Sequence, residues 1–156
     1  MPIRSVVLLC IGLFLSGCGA ESTAPAEPPL PANRLTIEQA WARMAPATGT
    51  SALYFQVANG TQAEDTLRAV RTPAGAASLH ETYTAGDSLM GMRAIDHVAV
   101  PPRTRIAFAP GGRHVMLKAL AQPLQPGDTL VATFVFAQSD TQRVQVPVRQ
   151  SAPPAP

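Results

Sequence analysis

Apolar residues between positions 34 and 150 occur in short runs, some alternating with polar residues and some continuous, and none repeats with a helical period. Gly, Pro, Asn and Asp separate these runs. A strand about every ten residues is typical of an all-β protein, and we predict a single-domain antiparallel β-sandwich or small barrel. The predicted strands are 35–44, 51–58, 66–71, 78–83, 89–95, 105–108, 114–119, 129–136 and 143–148.

Two of the predicted strands carry further information. Residues 130–136 (LVATFVF) form a continuous apolar run, which predicts a strand that is buried on both faces. Residues 143–148 (RVQVPV) alternate and predict a half-buried strand. Because proline cannot donate a backbone hydrogen bond, Pro147 should place this strand at a sheet edge or lie at the strand's end.

The N-terminus has the pattern of a bacterial lipoprotein signal. Arg4 precedes an apolar run of about ten residues, 6–15, which is too short to span a bilayer as a helix. The run ends at Ser16-Gly17 before Cys18, an arrangement that resembles a lipobox. We predict a signal peptide at 1–17 and a lipid on Cys18, the alternative being an ordinary secretory signal with an incidental cysteine.

Composition divides the rest of the chain. Residues 18–33 are rich in Pro, Ala and small polar residues and should form an extended tether, followed by the folded domain at 34–150 and a disordered tail at 151–156. The lipid would hold the domain at a membrane in the periplasm. We expect the outer membrane in a Gram-negative cell, while Gly19 after Cys18, with no Asp there, leaves inner-membrane retention open.

Composition also excludes several classes of function. The formal net charge is only +2 and no basic run is present, so nucleic acid is not an expected partner. Cys10 would leave with the signal peptide and Cys18 would carry the lipid, which leaves no thiol for catalysis, zinc or a blue-copper centre. The chain has no G-x-S-x-G, H-E-x-x-H or phosphate-loop motif and no clustered carboxylates, so we do not expect an enzyme.

Histidine and methionine supply the remaining candidate chemistry. Thioethers are soft and uncharged, and together with neutral imidazoles they favour Cu(I) over zinc, calcium or magnesium. His114 and Met116 are two residues apart in a predicted strand, so their side chains share one face. The domain contains three His and four of the chain's five Met, and six of these lie close together in sequence: His80, Met90, Met92, His97, His114 and Met116.

Not every histidine or methionine needs to be a ligand. A methionine in a strand more often fills the core than binds a metal, so Met44 is interpreted as a core residue. His97 follows Asp96 and is interpreted as a solvent-facing or Asp-paired histidine. Met90 stays open as an alternative ligand to Met92.

The spacing of four of these residues is specific. From His80 to Met116 it reads H-x₁₁-M-x₂₁-H-x-M, which resembles the signature of the periplasmic copper-chaperone family PCuAC. The likeness covers nearly all of 34–148. The segments that are similar to the family's pattern are, in chain order, WAR, ALYF, LHET, MR and PGGRHVML.

The resemblance implies a cupredoxin-like fold and one bound Cu(I), with His80, Met92, His114 and Met116 as its ligands. It also implies transfer of that ion to an acceptor copper protein, such as the cytochrome c oxidase subunit with the dinuclear copper site or another copper-delivery protein. Two departures matter. Glu81 occupies a position where many members have Met, and the C-terminal tail lacks the His and Met residues that some members associate with Cu(II).

Two other functions stay open at this stage. The same site could serve copper storage or resistance, which needs no acceptor protein. Alternatively, the chain would be an envelope lipoprotein that acts as a non-metal interaction module, with a vestigial His and Met spacing. Copper binding separates this last function from the other two.

Overall fold

The structure, a computed structural model, describes residues 27–85 and 89–153. None of these residues belongs to a helix long and apolar enough to cross a membrane. The predictions for the signal peptide, Cys18, most of the tether and the last three tail residues fall outside the described residues. The strands are β1 (Leu35–Arg43), β2 (Ser51–Asn59), β3 (Asp65–Arg71), β4 (Ala76–Ala85), β5 (Leu89–Ala94), β6 (Val98–Val100), β7 (Thr104–Phe108), β8 (Arg113–Lys118), β9 (Thr129–Phe136) and β10 (Gln142–Arg149).

All nine predicted strands are present, and their ends differ from the prediction by two residues at most. Strand β6 was not predicted, because Val98–Val100 is too short for an alternating pattern to show. It pairs with β3, where Val100 stands opposite Asp65. The missed element is therefore a short one that depends on a partner strand distant in sequence.

The strands pair in the order β5-β4-β8-β2-β1-β10-β9-β3-β6, and β7 also pairs with β2. Every pairing is antiparallel, as predicted, except that of β1 with β10. That parallel link is short, with Ala42 opposite Val148 and Arg43 opposite Arg149. It divides the strands into two layers, β5-β4-β8-β2-β1 with β7, and β10-β9-β3-β6.

The two layers pack against each other around phenylalanine side chains. The Phe55 ring of β2 stacks on Phe108 of β7 at 4.2 Å between centroids and meets Phe134 of β9 edge-on at 4.8 Å. Such aromatic pairs add about 0.5–1.5 kcal/mol each beyond the burial of their area. Leu79 of β4 and Val115 of β8 belong to the same core. Because side chains alternate along a strand, the residues next to these two face outwards.

The burial of β9 differs from its prediction, and the position of β10 decides between two predicted alternatives. In β9, Leu130, Ala132 and Phe134 are buried while the residues between them are half-buried, so the prediction of burial on both faces was wrong. The reason is that no further layer covers the outer face of β9 within the described residues. Strand β10 lies between β1 and β9, and Pro147 stands opposite Thr129 in the last pair of the ladder with β9, so the strand-end alternative applies.

The segment before β1 is attached to the body of the domain. Arg105 of β7 donates through Nε to Glu38 Oε2 and through Nη1 to the Pro28 carbonyl, each at 3.1 Å. Its Nη1 also lies 2.9 Å from Glu27 Oε1. Because Arg105 pairs with Ala58, these contacts hold residues 27 and 28 near the end of β2.

Candidate metal centre

Two of the predicted ligands are cross-strand neighbours. His80 of β4 stands directly opposite His114 of β8 in an antiparallel pair. Their rings are 5.9 Å apart between centroids and are inclined by 22°. Leu79 and Val115 beside them are buried in the core, so both imidazoles project from the outer face of the layer. Strand pairing therefore brings together two histidines that are far apart in sequence.

The two predicted methionine ligands flank this pair. Met116 lies two residues beyond His114 on β8 and therefore on the same face. Met92 of β5 stands opposite Thr82, which is two residues beyond His80 on β4. Because β4 lies between β5 and β8, all four side chains share the outer face of three adjacent strands.

An open cavity of about 410 Å³ lies at this face and is lined by Met92, His114 and Met116. His80 is outside the lining, next to His114. The lining contains no carboxylate, and its charged side chain is that of Arg43. Within residues 27–85 and 89–153, no three His, Cys, Asp or Glu side chains are placed to hold a metal ion together.

In each histidine ring one nitrogen has an oxygen partner, an arrangement that is typical of metal ligands. His114 Nδ1 lies 3.1 Å from the Gly112 carbonyl, which can only accept, so Nδ1 carries the proton and Nε2 keeps its lone pair. His80 Nε2 lies 3.0 Å from Ser78 Oγ, while His80 Nδ1 is buried and has no partner among the described residues. Metal-bound histidines usually donate the other ring N–H to an oxygen in this way. A buried nitrogen without a partner is uncommon and requires an explanation.

The surroundings of His80 favour its neutral form. Burial lowers the pKa of His80 below its usual value, and the positive charges of His114 and Lys118 lower this pKa further. Only a neutral imidazole offers a lone pair to a metal ion. The neutral ring of His80 therefore has a lone pair that it can offer to a metal ion.

Two aromatic side chains support His114 from the neighbouring strands. The Tyr54 ring of β2 lies 6.4 Å from the His114 ring and 4.7 Å from the Trp41 ring of β1, between centroids. All three rings are buried. Burial raises the pKa of Tyr54, and the charge of Arg43 opposes this only partly, so the hydroxyl stays neutral. The sequence analysis quoted these aromatic residues only within family segments, since no local pattern shows that they contact a histidine.

The structure separates the other candidate side chains. Met90 is 64% exposed, its sulfur lies 3.7 Å from Thr84 Oγ, and it does not line the cavity. His97 is solvent-facing, as predicted, and lies away from the cavity. Met44 is 42% exposed and lines the cavity, so its interpretation as a core residue was wrong. The reason is that β1 ends at Arg43, and the core-facing alternation of the strand ends with it.

Known proteins resemble this chain over nearly all of the domain. The family model described as LpqE-like lipoprotein matches residues 35–148. A lipoprotein of Leifsonia xyli subsp. xyli is 30% identical over 149 residues, which is 94% of this chain and 89% of that protein. Both names state a lipoprotein, and neither states an activity.

Solved structures share the fold. The apo PCuAC domain from PmoF1 is 28% identical, with a TM-score of 0.61, and the match covers 78% of this chain and 98% of that domain. The copper-bound PCuAC domain from PmoF2 is 24% identical, with a TM-score of 0.63, over 80% of this chain and 100% of that domain. The CuI-DR1885 structure from Deinococcus radiodurans is 24% identical, with a TM-score of 0.57, over 78% of this chain and 80% of that one. These likenesses confirm the predicted cupredoxin-like, all-β, single-domain fold.

Proposed function

Since the chain belongs to the LpqE-like family, and its predicted relation to PCuAC domains is thereby confirmed, we propose that it is a copper metallochaperone. It carries one Cu(I) on His80, Met92, His114 and Met116 and passes the ion on by ligand exchange, without catalysing a reaction. One observation carries this proposal. Two imidazoles, one with a buried unpartnered nitrogen, and two thioethers share one face of three adjacent strands.

The donor set supports Cu(I) over harder ions. Thioether sulfur is a soft ligand that binds Cu(I) and does not compete well for zinc, calcium or magnesium. The cavity lining has no carboxylate, and the charge of Arg43 opposes a divalent cation more than a monovalent one. Two neutral imidazoles and two neutral thioethers would leave the bound ion with a single positive charge.

The exposure of the site supports delivery of the ion over permanent binding. Met92 is 59% exposed and the cavity is open, so a ligand of another protein can reach the metal. No proton has to move when a thioether leaves, because it is uncharged. The acceptor that we propose is the dinuclear copper site of cytochrome c oxidase or a second copper-delivery protein. Deletion of the gene should then reduce oxidase activity, whereas copper sensitivity with normal oxidase would indicate storage or resistance.

We place the carrier at a membrane of the cell envelope through a lipid on Cys18. The lipobox-like residues before Cys18 and the likeness to a lipoprotein of Leifsonia xyli support this location. The domain would work on the periplasmic side, at the outer membrane in a Gram-negative cell. Changing Cys18→Ser should release the protein from the membrane fraction into the soluble fraction, because the acyl chains supply the membrane affinity. Unchanged membrane association would contradict the anchor.

The proposal is tested by an anaerobic Cu(I) titration in competition with a chromophoric chelator. The protein is the chain from residue 18 onward with Cys18→Ser, so that no thiol competes for copper. We expect one equivalent to bind tightly, and His114→Ala or Met116→Leu should weaken binding roughly 100-fold, or about 2.7 kcal/mol. Matched controls are His97→Ala and Met90→Leu, which remove the same side-chain types outside the cavity.

The outcomes separate the proposed function from its alternatives. No competition with the chelator would contradict a copper carrier and would favour the non-metal interaction module. Equal losses in the cavity variants and in their controls would show that binding does not depend on this site. Binding of one equivalent that is lost only in the cavity variants would establish the ligands.

A further inference from the structure

Met44 is a large apolar side chain in a position that core packing does not explain. It directly follows β1 and is 42% exposed, although Ala42 and Ala45 near it are buried. Its side chain lines the same cavity as Met92 and Met116. The sequence spacing that identifies the four candidate ligands does not include it. The presence of a third thioether at this cavity therefore requires an explanation other than core packing.

The backbone on both sides of Met44 is held in place. The Met44 N–H donates to the Arg149 carbonyl of β10 at 2.9 Å. The next residue, Ala45, exchanges two backbone hydrogen bonds with Leu124, at 3.1 Å and 2.8 Å. The Met44 backbone is therefore held at the cavity, and the position of its sulfur depends on the side-chain torsions.

Met44 and Met116 reach the cavity from two sides of β2. Strand β2 lies between β1 and β8, and Ala52 of β2, which also lines the cavity, stands opposite Met116. Met44 enters from the β1 side, and Met116 and His114 enter from the β8 side. The small side chain of Ala52 leaves the space between them open.

We propose that the Met44 thioether is an additional Cu(I) ligand of this cavity, used during exchange of the ion. This inference depends on the proposed function, since it requires that the cavity binds Cu(I). A copper–sulfur bond to Met44 forms as the bond to Met92, the most exposed of the proposed ligands, breaks. The metal remains Cu(I) throughout, and because both thioethers are neutral, neither an electron nor a proton is transferred.

Met90 provides a matched control for Met44. Both are exposed methionines, and Met90 lies two residues from Met92 on the same face of β5. Met90 does not line the cavity, and its sulfur contacts Thr84 Oγ at 3.7 Å. A general effect of exposed methionines on copper would therefore involve both residues, whereas a ligand role in the cavity involves Met44 alone.

The experiment follows the methionine methyl groups by ¹³C–¹H NMR while Cu(I), supplied as its acetonitrile complex, is added anaerobically to the chain from residue 18 onward with Cys18→Ser. Cu(I) is diamagnetic, so the signals stay sharp. Single Met→Leu variants assign the resonances. We expect the methyl signals of Met44, Met92 and Met116 to shift and that of Met90 to stay unchanged. In stopped-flow transfer to a chelator, Met44→Leu should slow copper loss roughly three- to tenfold, while Met90→Leu should not.

The outcomes distinguish failure of this inference from failure of the proposed function. If Met92 and Met116 shift but Met44 does not, the function stands and the inference is overturned. If none of the methyl signals shifts, the cavity does not bind Cu(I) and both fail. If Met44→Leu and Met90→Leu slow transfer equally, the effect is unspecific and the inference is overturned. The methyl shifts of the chain with native methionines decide the question even if a Leu variant folds poorly.

Discussion

Two polar side chains near opposite ends of strand β2, those of Asn59 and His80, differ in how completely their buried atoms are hydrogen-bonded. At its last residue, Asn59 is fully buried and its amide is satisfied: Nδ2 lies 2.9, 3.0 and 3.1 Å from three backbone carbonyls, and Oδ1 accepts from the N–H and the hydroxyl of Thr61. At the other end, beside the cavity, His80 Nδ1 is buried without a partner among the described residues. We call these the structural end, with Asn59 and Asp65, and the metal end, with the four proposed ligands.

The buried carboxylate of Asp65 is hydrogen-bonded as completely as the amide of Asn59. Its carboxylate accepts backbone hydrogen bonds at 2.7 to 3.2 Å from Thr66, Ala137, Gln138 and Ser139. Hydrogen-bonded polar groups hold strands together. Breaking one of these hydrogen bonds leaves a buried group without a partner, and the fold then loses free energy equal to the desolvation penalty of that group. A buried polar group without a partner costs free energy and requires an explanation of its own. The comparison teaches that, under the proposed function, one β-sandwich separates its stabilising polar groups from its metal ligands.

The largest effect is expected at the structural end. Asn59→Ala removes the amide and leaves the buried partners of Asn59 without it, so it should destabilise the fold by about 3–4 kcal/mol. Urea unfolding followed by tryptophan fluorescence measures this, with Trp41 as the chain's one tryptophan. The affinity of the folded fraction for Cu(I) should stay within about threefold, since Asn59 does not line the cavity. If the free energy of Cu(I) binding fell by as much as the free energy of unfolding, the two ends would not be independent and the comparison would fail.

The reverse result is expected at the metal end. Met116→Leu should weaken Cu(I) binding roughly 100-fold, or about 2.7 kcal/mol. It should cost less than about 1.5 kcal/mol of stability without copper, because the two side chains have similar volume and Met116 is only half-buried. Titration and urea unfolding of the same sample give both values. Large stability losses with normal copper affinity would show that Met116 is a packing residue.

Much of the fold could be predicted because it is local. Alternating runs and turn residues identified nine strands, and the strand β9 was predicted with its observed bounds. The parallel pairing of β1 with β10 could not be predicted, because it joins Ala42 to Val148 across the whole domain. The choice between an edge strand and a strand end at Pro147 stayed open in the sequence for the same reason. Neighbour relations between distant strands leave no trace in a local pattern.

The same limit applies to the candidate site. Spacing within 80–116 identified four proposed ligands, since β4, β5 and β8, three of the five strands in that window, are adjacent in the sheet. Met44 was assigned to the core because nothing near it in the sequence shows that only β2 separates β1 from β8. The unpartnered His80 Nδ1 depends on Ser78 holding the other nitrogen, which is a side-chain contact. The sequence therefore identifies the candidate ligand residues more readily than the atom through which each residue would bind the metal.

Acid should weaken the structural end through Asp65. Burial alone would raise the pKa of this carboxyl, but hydrogen bonds from Ser139, Thr66 and Gln138 outweigh it and hold the pKa below its usual value. A carboxyl with a lowered folded pKa adds stability above its unfolded pKa, about 3.9, and loses it as the pH falls through the folded pKa. Asp65→Asn should therefore cost about 2 kcal/mol at pH 7 and less below pH 3. Urea unfolding at both pH values measures the change, and a constant difference would contradict the ionised role.

The smallest effect is expected at Ser78, whose hydrogen bond to His80 holds a side chain of the metal end, as hydrogen bonds hold Asn59 at the structural end. The Ser78 hydroxyl lies 3.0 Å from His80 Nε2, so under the proposed function Nδ1 is the nitrogen that would bind copper. Oxygen partners of this kind change metal affinity by about 10- to 100-fold, and because Ser78 is exposed and water can replace its hydroxyl, Ser78→Ala should cost roughly tenfold or less. Ser78→Thr keeps the hydroxyl and should restore the affinity, and neither change should alter the unfolding midpoint of the copper-free protein. If Ser78→Ala lowers that midpoint but leaves Cu(I) binding intact, this hydrogen bond belongs with those of Asn59 and Asp65, and the unpartnered nitrogen of His80 loses its explanation as a metal ligand.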